Sequence, residues 1–485
     1  MKQIRKIFST MALLLFVVSC QDFSTELEVE NLENPNDKIL TSDPVALEAT
    51  AGSILQNWFM TIHSFRGPGP AFATMADLTT CSWGNFGMRD TSSEPRVAWN
   101  NTSSYGNQYI TNTYFNALYS VLSDSNTLAL AIANGTEFEN PAQIEMIAKF
   151  GQALSIGYLA LVFDKVWLSD ETGIIGEDAT SYADAMTFAL GKLDQAISIA
   201  QSNGVSVPES WLPGGAGNNA SLVGFMNSIG ARMLVGNVRN STQKAGIDWN
   251  KVLTYANNGV SADFEIYMDD VTWYDLIPRT YLVFPGWARV DMRIINMMDP
   301  NTPDYWEDDV TFQEESTSDD ARLLTDYGYL GSNNFRPERG IYHYSSYRYS
   351  RYDSYITNWT ENIVEYSKAE NDMYKAEAMA NTGNIGGAAA VINAGTRVTR
   401  GNLPEVAADL QAVKDAIHYE RMVEFGWTTM GIGFFEMRKE DMLQSGTLLH
   451  FPVPGKALES IPADSYTFGG TTGVPGEDYS TGGWR

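Results

Sequence analysis

Between Asp77 and Tyr109 the chain sets Trp83, Trp99 and Tyr105 among Asn85, Arg89, Asn100 and Asn101, in a polar and turn-prone stretch. Pyranose faces are apolar C–H surfaces edged by hydroxyls, so flat aromatic rings beside amide and guanidinium donors are a kit for holding a sugar. Trp83, Arg89, Trp99, Asn100, Asn101 and Tyr105 are therefore candidate ligand-binding residues. A second aromatic pool, Trp273, Tyr274, Trp287 and Trp306, lies where helical patterning fades and loops carry specificity. Trp273, Trp287 and Trp306 join the candidates on that ground. Both pools also suit core packing, because large aromatics are buried more often than they meet ligands.

Bond-making chemistry has no comparable constellation. His63, His343, His418 and His450 are isolated, without H-E-x-x-H or paired metal spacing. There is no G-x-S-x-G elbow, no Walker loop and no G-x-G-x-x-G after a strand. Carboxylates are so plentiful that no glycosidase pair stands out. The loops "MDDVTWYD" and "DPNTPD" lack EF-hand spacing and read as solvated acidic turns rather than calcium sites. No catalytic residue, metal ligand or cofactor is expected; binding is.

Acids outnumber bases 59 to 32, a formal charge of −27. Such a chain repels phosphate backbones, and its tightest basic grouping, Arg336 and Arg339, is small, so nucleic acid is excluded as a partner.

The elements that must position these residues are mostly helices. "TSDPVALEATAGSILQNWFMTIHSF" opens with capping residues and a first-turn proline. Met186, Leu190, Leu193, Ile197 and Ala200 form one apolar stripe, and Leu222, Met226, Ile229 and Met233 another. Further helical stretches are predicted over about 106–134, 141–166, 247–258, 360–382, 386–397 and 407–426. Short turns between them predict a mainly α protein, an α-solenoid of helical repeats resembling tetratricopeptide pairs. A long irregular insert over about 260–357 carries loops and a few short strands, and the last 35 residues read as coil. Within the insert, "YHYSSYRYSRYDSY" puts six tyrosines into fourteen residues; its alternation reads as a strand-like structural junction more than as a binding surface.

Residues 1–19 combine Lys2, Arg5 and Lys6 with a short apolar run ending in "VVSC", the pattern of a lipoprotein signal peptide with Cys20 as the acylated residue. Removing them would leave a charge of −30 and, with Cys20 acylated, a single free cysteine, Cys81, so no internal disulfide is possible. Residues 20–41 read as anchor and tether, and 42–485 as one domain.

Within that domain, "EYSKAENDMYKAEAMANTGNIGGAAAVINAGTRVTRGNLP", "AIHYERMVEFGWTTMGIGFFEMRKED" and "LLHFPVPGKALE" occur in this order. Together with "GYLALVFDKVWLSD" and the lipobox, they resemble the SusD/RagB family of outer-membrane nutrient-binding lipoproteins of Bacteroidota. The resemblance implies a lipid-anchored protein on the outer membrane, facing the extracellular side. It would bind an oligosaccharide and deliver it to a partner SusC-like TonB-dependent transporter. It also admits a peptide ligand, or a transporter lid or scaffold without a strong ligand of its own. Arg397, Arg421 and Arg438 are expected to pair with Glu377, Glu420, Glu424 or Glu436 at helix junctions.

Overall fold

The computed structural model describes residues 43–82, 84–214, 218–274, 288–305, 314–331, 343–461 and 463–484. The predicted signal peptide, Cys20 and the predicted tether lie outside these residues, as do Trp83, Trp287 and Trp306.

The helical scaffold starts at Pro44–Ile62, which buries Leu47, Ala51, Ile54, Leu55, Trp58, Phe59 and Ile62 along one side. Tyr109–Ala133 and Pro141–Val162 form a hairpin, and the second of these also packs on Tyr182–Asn203. From Met146 to Val162 every residue except Lys149 is buried, as an all-round apolar helix requires. Gly151 permits the close approach, since a Cβ there would lie 2.1 Å from Ser125 Oγ. The predicted stripes fall on Tyr182–Asn203 and Asn219–Gly236.

A second helical group closes the chain. Lys368–Asn381 turns through Gly383, at φ 90°, into Ile385–Asn393, and both pack with Leu410–Val423 around Met373, Ala376, Ala388, Ile392 and Ile417. Gly383 occupies the left-handed conformation that only glycine adopts without strain.

Three predicted helices are shorter than the sequence pattern suggests. The 360–382 stretch divides into a strand, Asn362–Tyr366, and a helix that begins at Lys368. Ser367 makes the division by accepting a hydrogen bond from Glu370 N, while Asn362–Tyr366 pairs with Phe264–Tyr267. The 141–166 stretch stops at Val162, because Lys165–Val166 pairs with Thr180–Ser181. The 386–397 stretch breaks after Asn393, and Thr396–Thr399 forms its own turn.

The insert contributes short antiparallel pairs, Thr79–Thr80 with Arg289–Val290 and Tyr327–Tyr329 with Tyr347–Tyr349. The second pair resolves the tyrosine-rich run. Tyr327 faces Tyr349 and Tyr329 faces Tyr347, with ring centroids 5.5 and 5.4 Å apart. Tyr349 also stacks on Trp427 at 5.3 Å, and Tyr344, Tyr347 and Tyr349 are buried. Arg348, between the last two, reaches Asp353 with both terminal nitrogens at 2.6 Å. In the described part of this run, alternation builds a packed seam.

Charged groups tie the helices together, with partners partly other than expected. Arg421 does bridge Glu377 and Glu436, each at 2.7 Å. Glu420 and Glu424 instead receive Arg322, and Glu424 also receives Arg351 and Arg400. Arg397 donates to the Pro404 carbonyl, 3.2 Å away, and lies over the Tyr419 ring. Arg438 meets no carboxylate among the described residues. It donates to Leu161 O and Gly236 O, at the carboxyl ends of two core helices, and to Leu449 O, at 3.3, 2.6 and 2.6 Å. Those carbonyls have no partners within their own helices, so a buried cation suits them.

Candidate functional site

The predicted binding stretch is held by both ends of the domain. After the Gly69–Met75 helix, Asp77 takes a left-handed turn at φ 52° and the chain enters the Thr79–Thr80 strand. It then passes through the short Met88–Ser92 helix and runs extended along the C-terminal segment. Trp99 N donates to Phe468 O at 2.9 Å, Thr467 Oγ1 donates to Trp99 O, and Ala98 bridges Gly469. Asn101 fastens the far end. Its amide donates to Val453 O and Tyr466 O, both at 2.9 Å, and accepts from Gly455 N at 3.0 Å. The last 35 residues, expected to be surface coil, are therefore half of the site's frame.

Trp99, Asn100 and Tyr105 converge on one cavity of about 150 Å³, with Asp90, Arg96, Val97, Thr447 and Leu448 among its other walls. Trp99 is only 5% exposed, and its ring meets Tyr105 edge to face at 5.3 Å and Phe451 at 4.9 Å. Tyr105 is half-buried and donates its hydroxyl to Asp90 Oδ2. Burial first, and the Asp90 carboxylate second, hold that phenol well above its usual range, so it stays a donor. Asn100 is exposed and accepts from Thr102 N and Oγ1, at 3.2 and 2.8 Å; its amide nitrogen makes no hydrogen bond among the described residues.

Arg96 donates to Thr91 O at 2.8 Å and to Asp77 Oδ1 at 2.6 Å. Asp77 Oδ2 in turn accepts from Gln444 Nε2 and Trp484 Nε1, at 3.0 and 2.7 Å. Three of its residues hold polar atoms that are fully buried and make no hydrogen bond among the described residues: Arg96 Nε, Trp99 Nε1 and Thr447 Oγ1.

The remaining candidates lie elsewhere. Arg89 is exposed, 3.8 Å from Asp90, and does not line the cavity. Trp273 is 5% exposed and packs on Phe59 at 5.3 Å; its loop is drawn in by Asp269, whose Oδ1 accepts from the backbone of Val271, Thr272 and Trp273. Trp83, Trp287 and Trp306 lie outside the described residues. Asp90, Arg96 and Thr447 were not singled out from sequence. Asp90 and Arg96 sit within the chosen stretch, whereas nothing local to Thr447 announces its contact across more than 300 residues.

A second concavity, of about 800 Å³, opens between the Met292–Met298 and Leu410–Val423 helices. Its walls include Asp299, Asp319, Asp320, Arg397, Glu405 and Tyr419, and Tyr419 donates to Asp320 at 2.7 Å. Among the described residues no group of His, Cys, Asp or Glu is arranged to hold a metal ion, and no helix is long and apolar enough to cross a membrane.

No family model and no curated protein matches the sequence. Solved structures do. A SusD superfamily protein from Bacteroides vulgatus is 14% identical with a TM-score of 0.59, the alignment covering 87% of this chain and 98% of that one. The chain has the SusD-like fold. Surface glycan-binding protein A from Bacteroides uniformis matches at a TM-score of 0.58 and 14% identity, over 86% of this chain and 98% of that one. A SusD-like carbohydrate-binding protein from Bacteroides fragilis matches at 0.56 and 14%, over 82% and 86%. In this SusD-like chain the Trp99 cavity is thus framed by the amino- and carboxyl-terminal ends of the fold.

Proposed function

We propose that this SusD-like protein captures an oligosaccharide at the Trp99–Tyr105 cavity and passes it to a TonB-dependent transporter of the SusC type. The observation that carries the reading is the meeting of Trp99, Asn100 and Tyr105, chosen for sugar chemistry, around one cavity. Two structural neighbours named as glycan- or carbohydrate-binding proteins support it.

Work at such a site is equilibrium binding without bond cleavage. The half-buried Tyr105 ring offers an apolar face, Asn100 offers amide hydrogens, and Asp90 accepts from sugar hydroxyls. Each added hydrogen bond is worth about 1 kcal/mol net, so affinity is built from several. The formal charge of −27 disfavours anionic ligands at long range and directs the site to neutral glycans. Acylation of Cys20 would hold the protein on the outer membrane, facing outward, and raise its effective concentration near the transporter. One acyl chain binds a membrane only marginally, so further chains or the transporter complete the anchoring.

The test is a screen of the purified protein on glycan and peptide arrays, with pull-down of the transporter from native membranes. Glycan binding with transporter recovery is the expected result. Peptide binding alone, or transporter recovery without any ligand, would overturn the glycan assignment.

A further inference from the structure

We infer that Asp90 is the residue that sets the charge class of the glycan: the Trp99 cavity takes sugars that present a hydroxyl or an ammonium group there and rejects acidic sugars. The inference rests on the glycan reading above and narrows it.

Two of the cavity's lining residues carry a formal charge, Asp90 and Arg96, and they are not equivalent. The Arg96 side chain is 4% exposed and pairs with Asp77 at 2.6 Å, so its charge is buried and balanced within the fold. The Asp90 side chain is 40% exposed, within reach of a ligand. Tyr105, whose ring is another wall, donates its hydroxyl proton to Asp90 Oδ2 and accepts from Asn107 Nδ2 at 3.3 Å. These bonds fix the carboxylate at the hydroxyl end of the aromatic wall. Asp90 Oδ1 makes no hydrogen bond among the described residues and stands 3.8 Å from Arg89 Nε.

An ionised carboxylate only accepts hydrogen bonds. It accepts from a sugar hydroxyl, accepts more strongly from an ammonium, and meets a second carboxylate with repulsion alone. The cavity, at about 150 Å³, is smaller than the pockets of about 300–1,000 Å³ that enclose a drug-sized ligand. It therefore holds one edge of a sugar, whose charge has no room to sit far from Asp90. Arg89 does not relieve that repulsion, because it lies outside the cavity wall and its pairing with Asp90 is solvated on both sides. The net charge of the chain acts differently, since it weakens the approach of every anion and does not depend on one side chain.

Saturation-transfer NMR titrations of the purified protein at pH 6 and about 0.01 M salt, where screening is weak, test this. The probes are the methyl glycosides of glucosamine, glucose and glucuronic acid, and their galacto counterparts. In wild type the amino sugar should bind at least as tightly as the neutral sugar, and the neutral sugar at least about tenfold more tightly than the uronate. Asp90→Asn keeps an acceptor for Tyr105 and should bring the three within about threefold of one another. Asp90→Glu keeps the charge and should keep the order. A uronate that binds wild type as well as the neutral sugar does, an order unchanged in Asp90→Asn, or an order lost in Asp90→Glu would overturn the assignment and leave the glycan reading standing. Uronates favoured over neutral sugars would transfer the recognition to Arg89 and overturn it too. No binding of any probe would also overturn it, whereas the glycan reading is decided separately by the oligosaccharide arrays.

Discussion

The Trp99 and Tyr105 rings stand at 88° to one another with centroids 5.3 Å apart, and only the tyrosine is appreciably exposed. The tryptophan is thus wall and core at once, which separates two kinds of substitution. Trp99→Ala should lower the unfolding free energy by about 3–5 kcal/mol, the usual cost of emptying a buried aromatic site. Tyr105→Phe keeps the ring and should stay within about 1 kcal/mol of wild type. Urea unfolding curves decide between this and a tryptophan that merely lies on the surface, for which both changes would be near neutral.

Glu424 gathers Arg322, Arg351 and Arg400 at 3.0, 3.0 and 2.5 Å. Burial alone would raise its carboxyl, but the three guanidiniums outweigh that and hold it below the usual range. Glu424→Gln leaves the buried Arg322 and the part-buried Arg351 and Arg400 without their shared anion and should cost about 3–5 kcal/mol. A loss under about 1 kcal/mol by chemical denaturation would show that the network is not needed for stability.

Two buried groups set opposing acid responses. Burial, moderated by the Tyr466 hydroxyl, pushes Asp164 up to about 6. Its unfolded value is about 3.9, so acidification from pH 7 towards 4 stabilises the fold through this group. Burial, opposed by Asp478, takes His450 down to about 4. Its unfolded value is about 6.5, so the same acidification destabilises the fold as pH drops from 6.5 through 4. Each full swing is about 3 kcal/mol, and the two nearly offset. Asp164→Asn should therefore make Tm fall more steeply between pH 7 and 5 than in wild type. His450→Gln should make it rise or level. Parallel Tm–pH curves for all three proteins would refute the opposition.

Gly455 joins the C-terminal frame to the site. A Cβ there would lie 1.9 Å from Asn101 O, against backbone that cannot swing away. Gly455→Ala should cost about 1–3 kcal/mol and weaken ligand binding although no ligand group is removed. Intact binding with intact stability would show that the Asn101 tether is dispensable.

Much of this architecture is legible in the sequence because it is local. Stripes at Met186–Ala200 and Leu222–Met233 fix helices, and Gly383 and Asn384 mark a helical turn. Alternation in Tyr347–Tyr349 marks a strand, although whether its tyrosines pack or bind depends on Trp427 and Tyr327, which are distant in sequence. The helix errors arise where pairing across the chain wins over periodicity, as when Phe264–Tyr267 claims Asn362–Tyr366. Composition singles out the stretch whose Trp99, Asn100 and Tyr105 line one cavity. Which side chains line the cavity was not legible, because Thr447 and Leu448 approach from the far end of the chain. Arg438 is misread for a related reason: the sequence offers it nearby glutamates, while its partners are backbone carbonyls brought together only by the fold.

The central claim is that the Trp99–Tyr105 cavity binds glycan. Titration calorimetry with an array-selected oligosaccharide, on wild type and on the Asn100→Ala/Tyr105→Ala double variant, tests it most directly. The account predicts saturable binding by the wild type and an affinity at least about tenfold weaker in the double variant, which still unfolds cooperatively. Equal affinity in the two proteins would contradict it.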